Sequence, residues 1–309
     1  MPAPKTSPAH RTAWPTAGLL AAALISGLYW LPLRQVEQAG IAGLWAPLSI
    51  AVVAGTPLLL PFLCWRRRTY ADWRDLTLIG LLLGGAYALY AASFMLTEVV
   101  RVVLLFYLAP VWGTLLEIFV LRRSLTLQRC ASLILGLGGL AVILGADRSL
   151  ALSMNAGDAL ALASGVAWSI GLLVVFSRHQ RPIGEQIAAQ AGGAMFVAVL
   201  VALIGLPVAA APPLGDFIAA LPWLLVTVLL TIPMWCLSML AARHLAPARA
   251  TLLFMIEVCI GVGSAALFSG DPLGWREAIG TVLVISAALV ELKRHSPRPA
   301  DESAAADLV

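Results

Sequence analysis

Glu257 is an acidic residue in the middle of a long apolar run that extends from residue 247 to residue 268. If the run is a helix with about 1.5 Å of rise per residue, Glu257 lies roughly 13 Å from its start, near the centre of a bilayer. An ionised carboxylate costs about 2.5–3.5 kcal/mol at that depth. We therefore expect it to face a water-filled cavity or a partner, or to carry a proton. Two roles stay open: a functional one, with proton exchange or binding of a ligand's ammonium group, and a structural hydrogen bond between helices.

Six aromatic residues with a polar atom lie well inside apolar runs: Trp30, Tyr87, Tyr90, Tyr107, Trp168 and Trp235. Tyr and Trp usually collect at the membrane interfaces, where the polar atom meets water. A ring that lies deeper needs a hydrogen-bond partner inside the protein. A central cavity lined by these rings would satisfy them, and it could stack a planar or cationic ligand. Ordinary packing between helices is the alternative for each ring.

Three charged residues lie nearer the ends of apolar runs. Arg101 and Arg249 are candidates for coupling or for polar contacts at the mouth of a cavity, but anchoring at the interface also predicts Arg at these positions. Glu117 lies five residues before Arg122, and we expect its side chain to extend to the interface.

The composition excludes a soluble globule. Of the 309 residues, 61% are hydrophobic and only 12% are charged, and the mean hydropathy is +0.92, whereas a soluble domain carries roughly 25% charged residues. The four Cys and four His residues do not cluster, so we expect no metal site and no cofactor. The absence of a contiguous basic face argues against nucleic-acid binding, and the absence of a Walker sequence argues against direct use of ATP.

Ten apolar runs approach the length of about 20 residues that a helix needs to cross the hydrocarbon core. They cover residues 17–33, 46–64, 77–96, 101–121, 127–145, 157–176, 186–206, 221–241, 247–268 and 274–292. We therefore predict an all-α integral membrane protein with ten transmembrane helices. The tails, residues 1–14 and 295–309, are rich in Pro, Ala, Ser and charge, and we expect them to be disordered.

Basic residues predict the orientation. With a cytoplasmic N-terminus, sixteen Lys and Arg residues fall on the inner side and four on the outer side. This excess follows the positive-inside rule and requires an even number of spans. Both termini are therefore expected in the cytoplasm, with the chain in the inner (plasma) membrane.

Two pairs of segments indicate an internal repeat. Residues 23–30 and 161–168 share five of eight positions, including the Trp, at an offset of 138. Residues 101–106 and 249–254 share Arg, two Leu and Phe at an offset of 148. The repeats, 15–150 and 151–294, would have five helices each, and an odd number places the second upside down in the membrane.

The sequence resembles the EamA-type transporters of the drug/metabolite transporter superfamily over nearly its whole length. The residues that carry the resemblance are Leu108-Ala109-Pro110, the Arg123-Ser124-Leu125-Thr126 turn, Ile256-Glu257-Val258, Gly270-Asp271-Pro272-Leu273 and Gly280. Where the family has a glutamate in its turn, this chain has Arg123 and Asp271. The resemblance implies a ten-helix carrier without a cofactor.

The aromatic set is similar to that of the aromatic amino-acid exporter branch of this superfamily. The matching residues are Trp30, Tyr87, Tyr107 with Pro110, and Trp168. That branch also has a Trp just before the proline, where this chain has Ala109. The resemblance implies an aromatic substrate site near the membrane midplane.

These observations predict a secondary transporter that exports small metabolites, most of all amino acids, aromatic ones included. A multidrug or other metabolite carrier is the alternative within transport. A membrane-embedded lipid-modifying enzyme is the alternative from another class, but it would need clustered His, Asp or Ser residues at an interface, and the loops lack them. Because one chain holds both halves, we expect a functional monomer whose partners are its small-molecule substrate and the lipid bilayer.

Overall fold

The computed structural model describes residues 8–41, 43, 45–65, 70–94, 96–97, 99–143, 154–177, 181–204, 211–269 and 274–293. Within these ranges the chain is helical, with no strand. The α-helices are α1 (Pro8–Leu28), α2 (Trp30–Gln38), α3 (Trp45–Trp65), α4 (Tyr70–Ile79), α5 (Gly85–Ser93), α6 (Val99–Phe106), α7 (Ala109–Phe119), α8 (Leu127–Ile143), α9 (Ala156–Ser177), α10 (Ile183–Leu203), α11 (Leu214–Ala242), α12 (Pro247–Phe254), α13 (Ile256–Ser269) and α14 (Trp275–Lys293). A π-helical turn, Gly80–Gly84, joins α4 to α5.

Helices cover all ten predicted spans. Within the described residues, seven helical stretches are long and apolar enough to cross a membrane: Ala13–Gln38, Trp73–Ser93, Arg101–Phe119, Ala156–Ser177, Ile183–Leu203, Leu214–Ala242 and Pro247–Phe268. The shorter apolar helices Trp45–Leu59 and Leu127–Ile143 lie over two further predicted spans, and α14 lies over the tenth. The chain is therefore an all-α, multi-pass membrane protein. Helix α1 begins at Pro8 and so includes the last residues of the predicted N-terminal tail.

Three of the spans are interrupted near their middle, which the hydropathy pattern alone does not predict. Helix α1 ends at Leu28 and α6 ends at Phe106, and a proline follows each of them by four residues, at Pro32 and Pro110. Proline has no amide hydrogen to donate to the carbonyl four residues earlier, so the helix breaks there. Helix α12 ends at Phe254 without a proline.

Helices from the two halves of the chain pack against each other. Helix α1 contacts α11, α12 and α13, whereas α9 contacts α5, α6 and α7. Helix α7 contacts α12, α3 contacts α10, and α8 contacts α14. The last pair approaches very closely, since a Cβ atom on Gly139 would lie 2.7 Å from the carbonyl oxygen of Gly280. Small residues allow such contacts between helix backbones in a membrane.

Candidate functional site

Glu257 lies at the start of α13, just after the interruption at Met255. Its carboxyl group interacts with two side chains from other parts of the chain, the hydroxyls of Ser26 in α1 and of Tyr107 between α6 and α7. The main chain at the interruption is also irregular, because the amide of Val258 donates to the carbonyl of Met255 at 3.1 Å, three residues earlier. The predicted midplane carboxyl therefore lies where an interrupted helix meets α1 and a second interrupted helix.

Tyr107 is the most deeply buried of the predicted aromatic residues, with 2% of its surface exposed. Its hydroxyl points toward Glu257, yet it makes no hydrogen bond of normal geometry to any described group. The ring of Phe106 lies against Tyr107, with the centroids 5.2 Å apart, and against Tyr90, at 4.4 Å. Tyr90 is itself close enough to Glu257 for an electrostatic interaction. The structure thus places Tyr90 and Tyr107 together beside the carboxyl.

A second aromatic group joins α5 and α11 to the end of α1. The Tyr29 hydroxyl lies 3.3 Å from the Tyr87 hydroxyl and 3.1 Å from that of Thr231. Tyr87 also makes an edge-to-face contact with Trp235, at a centroid distance of 5.6 Å. Such contacts satisfy polar tips inside the protein, as buried Tyr residues require. The structure therefore brings the predicted Tyr87 and Trp235 together around Tyr29.

The two remaining tryptophans contact the helices on either side of the Met255 interruption. The Nε1 atom of Trp30 donates a hydrogen bond of 3.0 Å to the hydroxyl of Ser264, which lies seven residues after Glu257 in α13. The ring of Trp168 lies 6.4 Å from that of Phe254, the last residue of α12. Trp30 and Trp168 are thus placed along the same interrupted span as Glu257.

Four of these side chains lie deep in the bundle without being fully covered by their neighbours. Tyr29, Tyr87, Tyr90 and Glu257 lie deep within the helix bundle, yet each retains part of its accessible surface. A side chain that is deep and still accessible must border an internal space, because close-packed neighbours would cover it completely. In a membrane, a carboxyl group needs such a polar space or a partner.

Neither of the two predicted arginines is among the groups that interact with the Glu257 carboxyl. Arg101 forms an ion pair with Asp158 at the start of α9, and Thr97 donates a hydrogen bond of 2.9 Å to the same carboxylate. Arg249 is buried in the first turn of α12, eight residues before Glu257, or about 12 Å along a helix. Both are placed near the ends of the spans.

The side chain of Glu117 is buried among protein groups, whereas the sequence led us to expect that it extends outward to the interface. It is 4% exposed and accepts a 3.0 Å hydrogen bond from the amide of Ala248, at the start of α12. Arg129 lies 3.5 Å from Glu117 and 3.4 Å from Glu291. The side chain bends into the protein because a helix N-terminus and an arginine compensate its charge. We call Glu117, Arg129, Glu291 and the Ala248 amide the end cluster.

Several residues of the site were absent from the sequence prediction: Ser26, Tyr29, Thr231 and Ser264. Ser26 and Tyr29 lie inside the repeated segment 23–30, which was the available signal. Thr231 and Ser264 are small polar residues in apolar runs, and nothing in their spacing distinguishes them. Among the described residues, no group of three or more His, Cys, Asp or Glu side chains could hold a metal ion.

Comparison with known proteins relates the first half of the chain to a transporter family. Residues 14–145 match the model of the EamA-like transporter family. The fold is also similar to that of another protein, known from a crystal structure. The similar region covers 91% of this chain and 98% of the other chain, with a TM-score of 0.64 and 20% sequence identity. At that identity the likeness shows the fold alone. No curated protein matches the chain at a significant level. The predicted resemblance to EamA-type transporters is confirmed for the first half, and the aromatic amino-acid exporter branch stays a prediction.

Proposed function

We propose that this chain, whose residues 14–145 match the EamA-like transporters, is a secondary transporter that exports small metabolites, with amino acids, aromatic ones included, as its substrate class. The observation that carries the proposal is the deep, partly accessible Glu257 carboxyl next to an interrupted helix, with the partly accessible Tyr90 ring near it and the buried Tyr107 hydroxyl directed toward it. Interrupted helices at the midplane are a common way to build substrate sites in secondary transporters.

Alternating access is the proposed mechanism, with two inverted five-helix repeats as the moving parts. The helix contacts support this arrangement, since α1 packs on α11 to α13 as α9 packs on α5 to α7. The interruptions after Phe106 and Phe254 also fall on counterpart positions of the two repeats. Two similar halves can rock around a fixed site and expose it to each side in turn. The positive-inside asymmetry supports cytoplasmic termini and an inner-membrane location.

A multidrug or other metabolite carrier is the second candidate, and one observation favours it. The site combines the aromatic rings of Tyr90 and Phe106 with the carboxyl group of Glu257, and aromatic and acidic groups together also bind organic cations of varied shape. Both candidates share the fold and the site, so only the substrate distinguishes them.

Counterflow of labelled phenylalanine, threonine and methionine in proteoliposomes tests the proposal. We expect saturable exchange with the wild type. In Trp168→Ala the exchange rate should fall at least about tenfold, because truncating an aromatic side chain in a binding site commonly weakens binding by that factor. Trp223→Ala is the matched control, because Trp223 lies 40% exposed on α11. If folded wild-type protein exchanges none of the three amino acids, the amino-acid assignment is wrong.

A further inference from the structure

We infer that the site around Glu257 binds a protonated amine, and that amines and amino-acid esters bind there more tightly than the parent amino acids. The inference rests on the proposed transport function and narrows its substrate class. It follows from the charge of the site and from the number of hydrogen-bond acceptors in it.

Glu257 differs from the other deeply placed acids of the chain in its partners. Asp75, Glu117, Asp158 and Glu291 are buried, and an arginine forms an ion pair with each of them. The groups that interact with the carboxyl of Glu257 are neutral hydroxyls, and none of the described basic side chains is among them. A carboxylate at this depth needs a counter-charge or a proton. For the other four buried acids this counter-charge is an arginine of the chain. For Glu257 a positively charged ligand can provide it.

The acceptors around Glu257 match the donors of a primary ammonium group. Such a group has three N–H donors and no acceptor. The Glu257 carboxyl and the hydroxyl oxygens of Ser26 and Tyr107 provide three acceptors from three different parts of the chain. The Tyr107 hydroxyl is directed toward the carboxyl but makes no hydrogen bond of normal geometry within the described residues, although the residue is only 2% exposed. The carboxyl of Glu257 can accept the O–H of this hydroxyl, and an ammonium group in the site would supply an N–H donor to its oxygen.

The aromatic wall adds attraction for a cation. The ring of Tyr90 lies near Glu257 and packs on Phe106, with their centroids 4.4 Å apart. The negative face of an aromatic ring attracts a cation, and more strongly where water is excluded. An amine on an aromatic skeleton can therefore place its charge at the carboxyl and its ring against the partly accessible Tyr90 and Phe106.

A free amino acid brings a carboxylate into the same space. That group needs a cation or several N–H donors, since an unpaired buried charge is expensive. The two arginines in the spans that hold Tyr107 and Glu257 lie elsewhere: Arg101 pairs with Asp158, and Arg249 lies eight residues before Glu257. Removing or esterifying the carboxylate removes this cost, which is why tryptamine and tryptophan methyl ester should bind more tightly than tryptophan.

Calorimetric binding to the full-length protein in lipid nanodiscs tests the inference with four probes: tryptamine, tryptophan methyl ester, tryptophan and 3-indolepropionate. We expect tryptamine and the ester to bind at least about tenfold more tightly than tryptophan, the scale of one charge-assisted hydrogen bond. Indolepropionate should not bind. Glu257→Gln should weaken tryptamine binding by about tenfold or more, whereas Glu277→Gln, at the start of α14, should leave it within about twofold.

Two variants keep the test decisive if Glu257→Gln does not fold. Tyr107→Phe removes one acceptor and should weaken tryptamine binding about threefold to tenfold, and Glu257→Asp should retain the preference for the amine. Tryptophan binding as tightly as tryptamine, or unchanged tryptamine binding by folded Glu257→Gln, would overturn the inference. If amino acids still exchange in proteoliposomes under that result, the proposed function stands and only the amine preference is lost. If neither amines nor amino acids bind or exchange, both proposals are wrong.

Discussion

Gly27 of α1 lies directly against the main-chain carbonyl of Glu257 in α13. A Cβ atom at position 27 would lie 2.7 Å from that carbonyl oxygen and 2.7 Å from the Cβ atom of Ile260. Gly165, at the matching position of the similar segment 161–168, makes the same kind of contact with the carbonyl of Phe106, also at 2.7 Å. In both places a glycine allows a neighbouring helix to approach the backbone of an interrupted span.

Gly27→Ala is expected to disturb the Glu257 site, because the added methyl group meets rigid backbone. We expect a loss of about 1–3 kcal/mol of stability, as for overpacked sites, and weaker substrate exchange. Thermal unfolding in detergent and counterflow measure the two effects. Gly263→Ala in α13 is the matched control, since its Cβ atom would meet nothing within 4 Å. Equal unfolding temperatures for the two variants would contradict the close contact.

Pro110→Ala is expected to strengthen the span made of α6 and α7. Alanine provides the amide hydrogen that the Phe106 carbonyl lacks, and a helix-breaking proline costs about 3 kcal/mol in a helix interior. Stability should therefore stay the same or rise, whereas exchange should slow if the interruption serves transport. Unfolding temperature and exchange rate, measured on the same samples, separate these effects.

The matched control for Pro110→Ala is Pro222→Ala, a proline inside α11 that does not interrupt its helix. Transport at the wild-type rate in Pro110→Ala would show that the interruption is not needed for movement. An equal loss in both variants would point to general damage instead.

Glu117→Gln is expected to destabilise the end cluster. Glutamine still offers an oxygen to the amide of Ala248, but Arg129 loses the negative charge 3.5 Å away and keeps that of Glu291 at 3.4 Å. Removing one member of a buried ionic group costs about 3–5 kcal/mol, and the retained hydrogen bond should keep the loss near the lower limit. The unfolding temperature of the variant should fall, while that of Glu37→Gln, at an exposed position of α2, should not. An unchanged midpoint in Glu117→Gln would show that the cluster contributes little.

Tryptamine binding should weaken as the pH falls. Protonation neutralises the Glu257 carboxyl, so the ammonium group and a proton compete for it. The other titratable side chains facing this group, Tyr90 and Tyr107, together with Cys259 near Tyr107, are neutral when protonated. They therefore cannot replace the lost negative charge at low pH. Affinity measured between about pH 5 and 8 should show one acid-side step in the wild type and none in Glu257→Gln. A step of equal size in the variant would assign the titration to another group.

The ten spans were predictable because hydropathy is a local property of the chain. A run of about 20 apolar residues has to leave water wherever its neighbours lie. Pro32 and Pro110 were likewise local signals for two of the interruptions, since each removes a specific helix hydrogen bond. Glu257 could be singled out for the same reason, as a carboxyl too deep in its run to reach water.

The partners of Glu257 could not be predicted in this way. Ser26 and Tyr107 are far from it in the chain and reach it only through the packing of α1 and of the junction between α6 and α7. The position of Glu117 was predicted wrongly for a related reason, because a residue near the end of an apolar run can face water or turn toward a neighbouring helix. The sequence by itself determined which segments enter the membrane and which charges are costly there, since both depend on local transfer free energies. Only the tertiary structure decided which buried acids form an ion pair with an arginine and which one, Glu257, has neutral hydroxyls beside it. These partners depend on contacts between helices that are distant in the sequence.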